Sequence, residues 1–289
     1  MANIMEVMSE QERLEYGHLI MKMDNSLKMS DVILDNENKA KIEEFVQEQA
    51  KGPELAKYGL YPMNRILLQG ESGTGKSMLV KAMANDTGRY LLYVDISQSL
   101  TDGNVSKNIA TIFQLADKYR NCILFFDEFD SIALSRDGNN GDSGEIRRAL
   151  NSTFLYLDAM HWSNIFCACT NLAYKADRAI LTRFNLLMRF KLPELSVAET
   201  AKKFLYKDFG LVDDIEKSMK EIIDRRCRMS YRELRSIVDR EMKKAVINGT
   251  MKVHTKDLYE TVARQQNIRI LFSVAYNERA ASKDTIELT

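Results

Sequence analysis

The chain of 289 residues has 41 basic and 41 acidic side chains, a formal net charge of zero, and 45% hydrophobic residues. This composition is that of an ordinary globular protein with room for about two domains, and it excludes disordered and collagen-like chains. Because a neutral chain has no overall attraction to phosphate-rich surfaces, neither nucleic acid nor an anionic membrane is the default partner.

Sequence features related to cellular location point to the cytoplasm. No apolar run approaches the ~18 residues that a membrane span requires, so no membrane association is expected. The N-terminal residues are acidic where a signal peptide would be basic. The four cysteines, Cys122, Cys167, Cys169 and Cys227, form no CxxC pair, and we expect them to be reduced thiols in the core.

Three prolines, Pro53, Pro62 and Pro193, divide the chain. Before Pro53 the apolar residues follow helical spacing, and after Pro193 they do so again. Between Pro62 and Pro193, short apolar strands alternate with amphipathic helices. The predicted strands cover residues 65–69, 90–96, 122–127, 164–170 and 186–192.

Continuous apolar strands separated by helices predict an α/β fold, a parallel sheet with helices on both faces, followed by a small all-α lid domain. The predicted organisation is an N-terminal helical segment at 1–30, a nucleotide-binding domain at 31–193, a helical lid at 194–268 and a tail at 269–289.

A glycine-rich motif follows the first predicted strand and precedes a predicted helix. It matches GxxxxGK[ST] and consists of Gly70, Glu71, Ser72, Gly73, Thr74, Gly75, Lys76 and Ser77. Its glycines let successive backbone N–H groups point into one concavity, which together with the helix N-terminus holds phosphate oxygens. We therefore predict that Lys76 contacts the terminal phosphates of a nucleotide and that the Ser77 hydroxyl ligates Mg²⁺.

Two adjacent acids, Asp127 and Glu128, end the apolar strand at 122–127. Because a desolvated carboxylate needs a metal or a partner, we assign Asp127 to the Mg²⁺ ion, through water. Glu128 is then placed to orient and activate an attacking water, which predicts hydrolysis rather than storage of a nucleotide. The simpler alternative is that both acids end a strand in solvent.

These motifs in this order resemble those of the AAA+ ATPases, and the resemblance extends from about Asp31 to about Asn267. The chain is most similar to small, stand-alone members of the single-ring AAA type, as found in bacteria and phages. The resemblance implies that ATP is the nucleotide and that Asn171, in the run CACTN, is the sensor-1 residue between Glu128 and the γ-phosphate. The alternative for Asn171 is a turn residue at a strand end.

The resemblance also implies roles for residues outside the two motifs. In the run DRAILTRF, Arg183 matches the arginine finger, which contacts the nucleotide held by a neighbouring subunit. The alternative is a surface arginine paired with an acid. Arg232, in MSYRELRSIVD, is placed over the nucleotide, or else lies on a solvent-exposed helix face, and Ile33 is placed at the adenine.

The function implied by the resemblance is that of an oligomeric ATPase, expected to be a homo-hexamer, that remodels, unfolds or disassembles a protein partner. A separate protein substrate or adaptor is expected as its partner. The pore-facing segment at 99–103 has Thr101 where an aromatic residue is usual, and a threonine holds a threaded polypeptide less well than an aromatic side chain does. The alternative is a nucleic-acid-associated AAA+ ATPase, such as a helicase loader or recombination regulator. The basic run from Arg225 to Lys244 favours it and the neutral net charge opposes it.

Overall fold

The computed structural model describes residues 4–19, 27–96, 104–133, 143–171 and 181–267. The chain divides into two compact units between Lys191 and Leu192. Among the described residues, the helices are too short or too polar to cross a bilayer.

The first unit contains five strands and eight helices in its described residues. The strands are β1 (Arg65–Gly70), β2 (Tyr90–Asp95), β3 (Cys122–Asp127), β4 (Ile165–Thr170) and β5 (Leu186–Phe190). The helices are α1 (Ile4–Val7), α2 (Glu10–Tyr16), α3 (Asn36–Ala50), α4 (Gly52–Ala56), α5 (Lys76–Thr87), α6 (Val105–Tyr119), α7 (Asp130–Ala133) and α8 (Ser143–Ala159), with short 3-10 turns at Gly17–Leu19 and Met29–Asp31.

All five strands pair in parallel, in the order β2-β3-β4-β1-β5. This confirms the predicted α/β sheet. Because side chains alternate along a strand, each face of the sheet has its own core. One core contains Leu67 and Phe126 under α6, α8 and the N-terminal helices, and the other contains Leu68 and Phe125 under α3 and α5.

The edge of the sheet at β5 is covered by polar side chains of α3. The Asn38 amide donates to the carbonyl of Arg189 at 2.8 Å, and the Lys41 ammonium donates to that of Leu187 at 3.1 Å. These bonds occupy carbonyl groups that an edge strand would otherwise present for pairing with another chain.

The second unit contains α9 (Val197–Phe204), β6 (Gly210–Val212), α10 (Lys217–Arg226), α11 (Tyr231–Ile247), β7 (Lys252–His254) and α12 (Thr255–Gln265). It is mainly helical, as the periodicity predicted, with the addition of the short parallel pair β6–β7. Its core is formed around Leu258 and Tyr259. All four cysteines are free; three are buried and Cys227 is half-buried.

Candidate nucleotide site

The glycine-rich loop connects β1 to α5 at the carboxyl edge of the sheet. Three of its glycines have positive φ angles, 152° at Gly70, 79° at Gly73 and 106° at Gly75, which glycine adopts without steric cost. At Gly70 a side chain is also excluded by contact, since an added Cβ would lie 2.2 Å from the carbonyl oxygen of Phe190. The sequence thus folds this loop into the tight turn that phosphate binding requires.

The Lys76 side chain is 6% exposed and bonded to acceptors of its own chain. Its ammonium donates to the carbonyls of Gly70 at 2.6 Å and Glu71 at 2.8 Å, and to the Oδ1 of Asn171 at 2.9 Å. Such acceptors are needed because a buried ammonium without them is very unfavourable. The structure therefore brings the predicted sensor residue Asn171 directly to the loop lysine.

The two acids at the end of β3 lie beside the start of α5. The Ser77 hydroxyl donates to Asp127 Oδ2 at 3.1 Å, which joins the two residues assigned to Mg²⁺. Glu128 follows in the left-handed region, with φ of 51°, and its N–H donates to Asp127 Oδ1 at 3.1 Å. A non-glycine residue in this conformation carries roughly 1–3 kcal/mol of strain, which is typical of functional positions.

The residues at this edge fit a magnesium nucleotide. The loop offers a concavity of backbone N–H groups for phosphate oxygens, and Lys76 offers a charge. A hydroxyl and a carboxylate within hydrogen-bond distance are oxygen ligands of the kind that Mg²⁺ binds, with water completing its coordination.

Arg183 lies at the opposite, amino edge of the sheet. Asn185, two residues later, exchanges hydrogen bonds with the backbone of Arg65, the first residue of β1. Since β1 has six residues, the two edges are about 17 Å apart at roughly 3.3 Å per residue. The Arg183 guanidinium forms an ion pair with Asp158 of α8, which Arg65 also contacts at 3.2 Å.

Comparison with known proteins agrees with this geometry. A family model described as "ATPase family associated with various cellular activities (AAA)" matches residues 66–192, from β1 to just beyond β5. A curated protein described as an uncharacterized AAA family ATPase of Sinorhizobium fredii is 28% identical over 230 residues, which are 79% of this chain and 68% of that protein. The region from β1 to β5 is thus similar to the AAA family of ATPases. This similarity favours ATP as the nucleotide that the loop binds.

The segment before the AAA domain packs along α5. The backbone N–H of Met29 donates to Asp86 of that helix at 2.9 Å. Val32 is buried in the core and Leu34 packs against it, while Ile33 and Leu34 are both half-buried. The assignment of Ile33 to the adenine stays a prediction.

Other assigned positions are not tested by the structure. Arg232 is exposed in the first turn of α11, in the second unit, so its contact with nucleotide stays a prediction. The pore-facing segment at 99–103 and most of the loop at 134–145 lie outside the described residues, as does the tail.

Sequence reasoning missed two acids that hold the assigned residues in place. Asp130 accepts the backbone N–H of Asn171 at 3.4 Å, and Asp158 holds Arg183. The third acid in the run DEFD was a signal for Asp130. No local signal identified Asp158, because its contacts join α8 to residues far away in the sequence.

Proposed function

We propose that this chain is an oligomeric AAA+ ATPase, expected to be a homo-hexamer, that hydrolyses ATP with Mg²⁺ at subunit interfaces to remodel a protein partner. The observation that carries this proposal is the separation of Arg183 from the phosphate loop. Lys76 and Glu128 lie at the carboxyl edge of the sheet, and Arg183 lies at the amino edge. One copy therefore cannot bring its own Arg183 to its own phosphates while this sheet is intact.

Within one subunit, the loop N–H groups and Lys76 hold the phosphates of ATP. Ser77 and Asp127 would hold Mg²⁺, which neutralises charge on the phosphate oxygens when bound. Glu128 orients the attacking water and accepts its proton, and Asn171 fixes that water from the other side. When ATP binds, Lys76 must exchange at least one of its present acceptors for a phosphate oxygen. The acceptor that can move away most simply is the side-chain oxygen of Asn171, because that side chain can rotate.

Between subunits, Arg183 of one copy meets the γ-phosphate held by the next. A planar, permanently charged guanidinium suits this contact because it donates two parallel hydrogen bonds to one phosphate. Hydrolysis removes the group that Arg183 contacts, so the hold of one copy on the next weakens. This alternation between two contact states is what a remodelling ATPase uses to do work on a bound protein.

The proposal is tested by mixing two inactive variants. Lys76→Ala should lose ATP binding, and Arg183→Ala should bind ATP but hydrolyse it poorly. Mixed in equal amounts, the two should regain part of the ATPase activity, because an intact loop then meets an intact arginine at some interfaces. Glu128→Gln, which should bind ATP and turn over slowly, also has an intact Arg183. It should therefore rescue Arg183→Ala but not Lys76→Ala.

Two results would contradict the shared site. One is full activity of Arg183→Ala at a concentration where the wild-type chain is monomeric by mass photometry. The other is the absence of rescue although mixed oligomers form.

A second candidate function, action on nucleic acid, is favoured by one feature of the second unit. Four exposed arginines within eight residues have no carboxylate partner in the part of the chain that the structure describes: Arg225, Arg226, Arg228 and Arg232. The discriminating measurement is the ATPase rate with single-stranded DNA or with an unfolded protein. Stimulation by DNA that weakens as salt is added would favour this second function.

A further inference from the structure

Gln69 is the last residue of β1 before the phosphate loop, and it is 2% exposed. Its side-chain oxygen, Oε1, is buried without a hydrogen-bond partner. Within the described residues, only one other side-chain atom is in the same situation, Oγ1 of Thr200 in the second unit. A leucine at position 69 would fill nearly the same space without burying an unpaired acceptor, so the amide is retained at a cost in stability.

The position of Gln69 connects it to the groups that touch ATP under the proposed function. It pairs in register with Thr170 of β4 and with Arg189 of β5. Because registered residues of parallel strands share a face, the three side chains form a row beneath the loop. The residue after Gln69 is Gly70, whose carbonyl accepts from Lys76, and the residue after Thr170 is Asn171.

We propose that Gln69 is a positioning residue whose amide gains its hydrogen-bond donor when the loop holds ATP. The donor is a hydroxyl or N–H group of the row that contains Thr170 and Arg189. The bond ties β1 to a neighbouring strand at the level of the loop and thereby fixes Lys76 and Asn171 against each other during hydrolysis. This role rests on the proposed function, because it needs ATP to be bound and cleaved at the loop.

The test compares Gln69→Leu with Thr200→Val in the full chain. Each substitution removes one buried, unpaired oxygen, and only the first lies at the loop. Both should raise the melting temperature of the nucleotide-free protein by about 2–4 °C. Only Gln69→Leu should also reduce the additional rise caused by a slowly hydrolysed ATP analogue with Mg²⁺, and lower kcat about tenfold with KM changed less than twofold.

Three outcomes decide the matter. If Gln69→Leu behaves like Thr200→Val, with unchanged kcat and analogue response, Gln69 has no positioning role. If Gln69→Leu lowers the melting temperature without nucleotide, its amide already has a partner and the proposal is wrong. If kcat falls as expected, Thr170→Val and Arg189→Met are made alone and combined with Gln69→Leu. The donor is the residue whose substitution lowers kcat by itself but adds no further effect to Gln69→Leu.

Glu128→Gln in the same assay separates this proposal from the proposed function. Normal turnover by Glu128→Gln would refute hydrolysis at this site altogether. Slow turnover by Glu128→Gln with normal turnover by Gln69→Leu would refute only the role of Gln69.

Discussion

The ion pair between Arg183 and Asp158 predicts how readily one copy of the chain can offer its arginine to the next. In the structure the guanidinium is bonded to Asp158 and lies 5.6 Å from the ring centre of Phe154. Arg183 must leave this carboxylate before it can donate to a phosphate on another subunit. Asp158→Asn keeps the shape of the side chain and removes its charge, so it should favour the released arginine.

The size of the effect follows from the exposure of the pair. The Arg183 and Asp158 side chains are 40% and 47% exposed, and ion pairs this accessible to solvent contribute about 0.2–1 kcal/mol. Removing that contribution should raise the association constant of each contact between subunits by a factor of about 1.4 to 5. The contact with Phe154 remains in both forms, so it does not enter the difference.

The assay is ATPase activity per chain as a function of protein concentration. For Asp158→Asn, the concentration that gives half-maximal activity should fall by about 1.4-fold to fivefold per interface, with the same activity at saturation. Asp117→Asn is a matched control, because Asp117 forms a surface pair with Arg120 at 3.0 Å on α6 and does not contact Arg183. A midpoint that rises in Asp158→Asn would refute the reasoning, because Asp158 would then hold Arg183 in its working position.

Two further predictions concern the loop and the N-terminal helix. Gly70→Ala should abolish ATP binding and lower the melting temperature, because its Cβ would overlap the Phe190 carbonyl. The control is Gly144→Ala, for which no atom lies within 4 Å of the added Cβ. It should leave the melting temperature unchanged or raise it slightly. Hydrogen bonds from Lys118, which has the largest effect, and from Ser9 and Tyr119 lower the pKa of Glu12 from 4.5 to about 2. Its contribution to stability is therefore complete above pH 4.5 and is lost as the pH falls toward about 2. In acid unfolding followed by circular dichroism, Glu12→Gln should be less stable than the wild type at pH 7. Between pH 4.5 and about 2 it should lose less stability than the wild type does. Equal losses in the two proteins would contradict the interaction of Glu12 with Lys118.

The parts of the site that could be predicted from sequence are those built from neighbouring residues. The glycine-rich loop is specified by glycines that tolerate positive φ and by the strand and helix on either side of it. Asp127 and Glu128 were recognisable because two acids directly after a buried strand are unusual. The sheet was predictable for a similar reason, since strands buried on both faces are continuously apolar.

The remaining features depend on contacts between distant segments. The pairing of Lys76 with Asn171 requires β1 and β4 to be neighbours, and no local pattern specifies the strand order. Asp158 is one of many acids on exposed helix surfaces, and only the fold shows that it meets Arg183. The β6–β7 pair is too short, at three residues a strand, to produce a periodic signal within a helical domain.

Both cations that the proposed mechanism uses are already bonded to acceptors of their own chain. Lys76 donates to the carbonyls of Gly70 and Glu71 and to the predicted sensor residue Asn171, and Arg183 is paired with the carboxylate of Asp158. For these two cations, ATP binding and the docking of one subunit against the next therefore exchange hydrogen bonds instead of adding them. The free energy that each step gains from the cation is the difference between its contact with the phosphate and its contact with the displaced acceptor. This difference is smaller than the free energy of the phosphate contact alone. A reversible cycle needs such small differences, because a nucleotide or a neighbouring subunit held at full strength would not be released after hydrolysis.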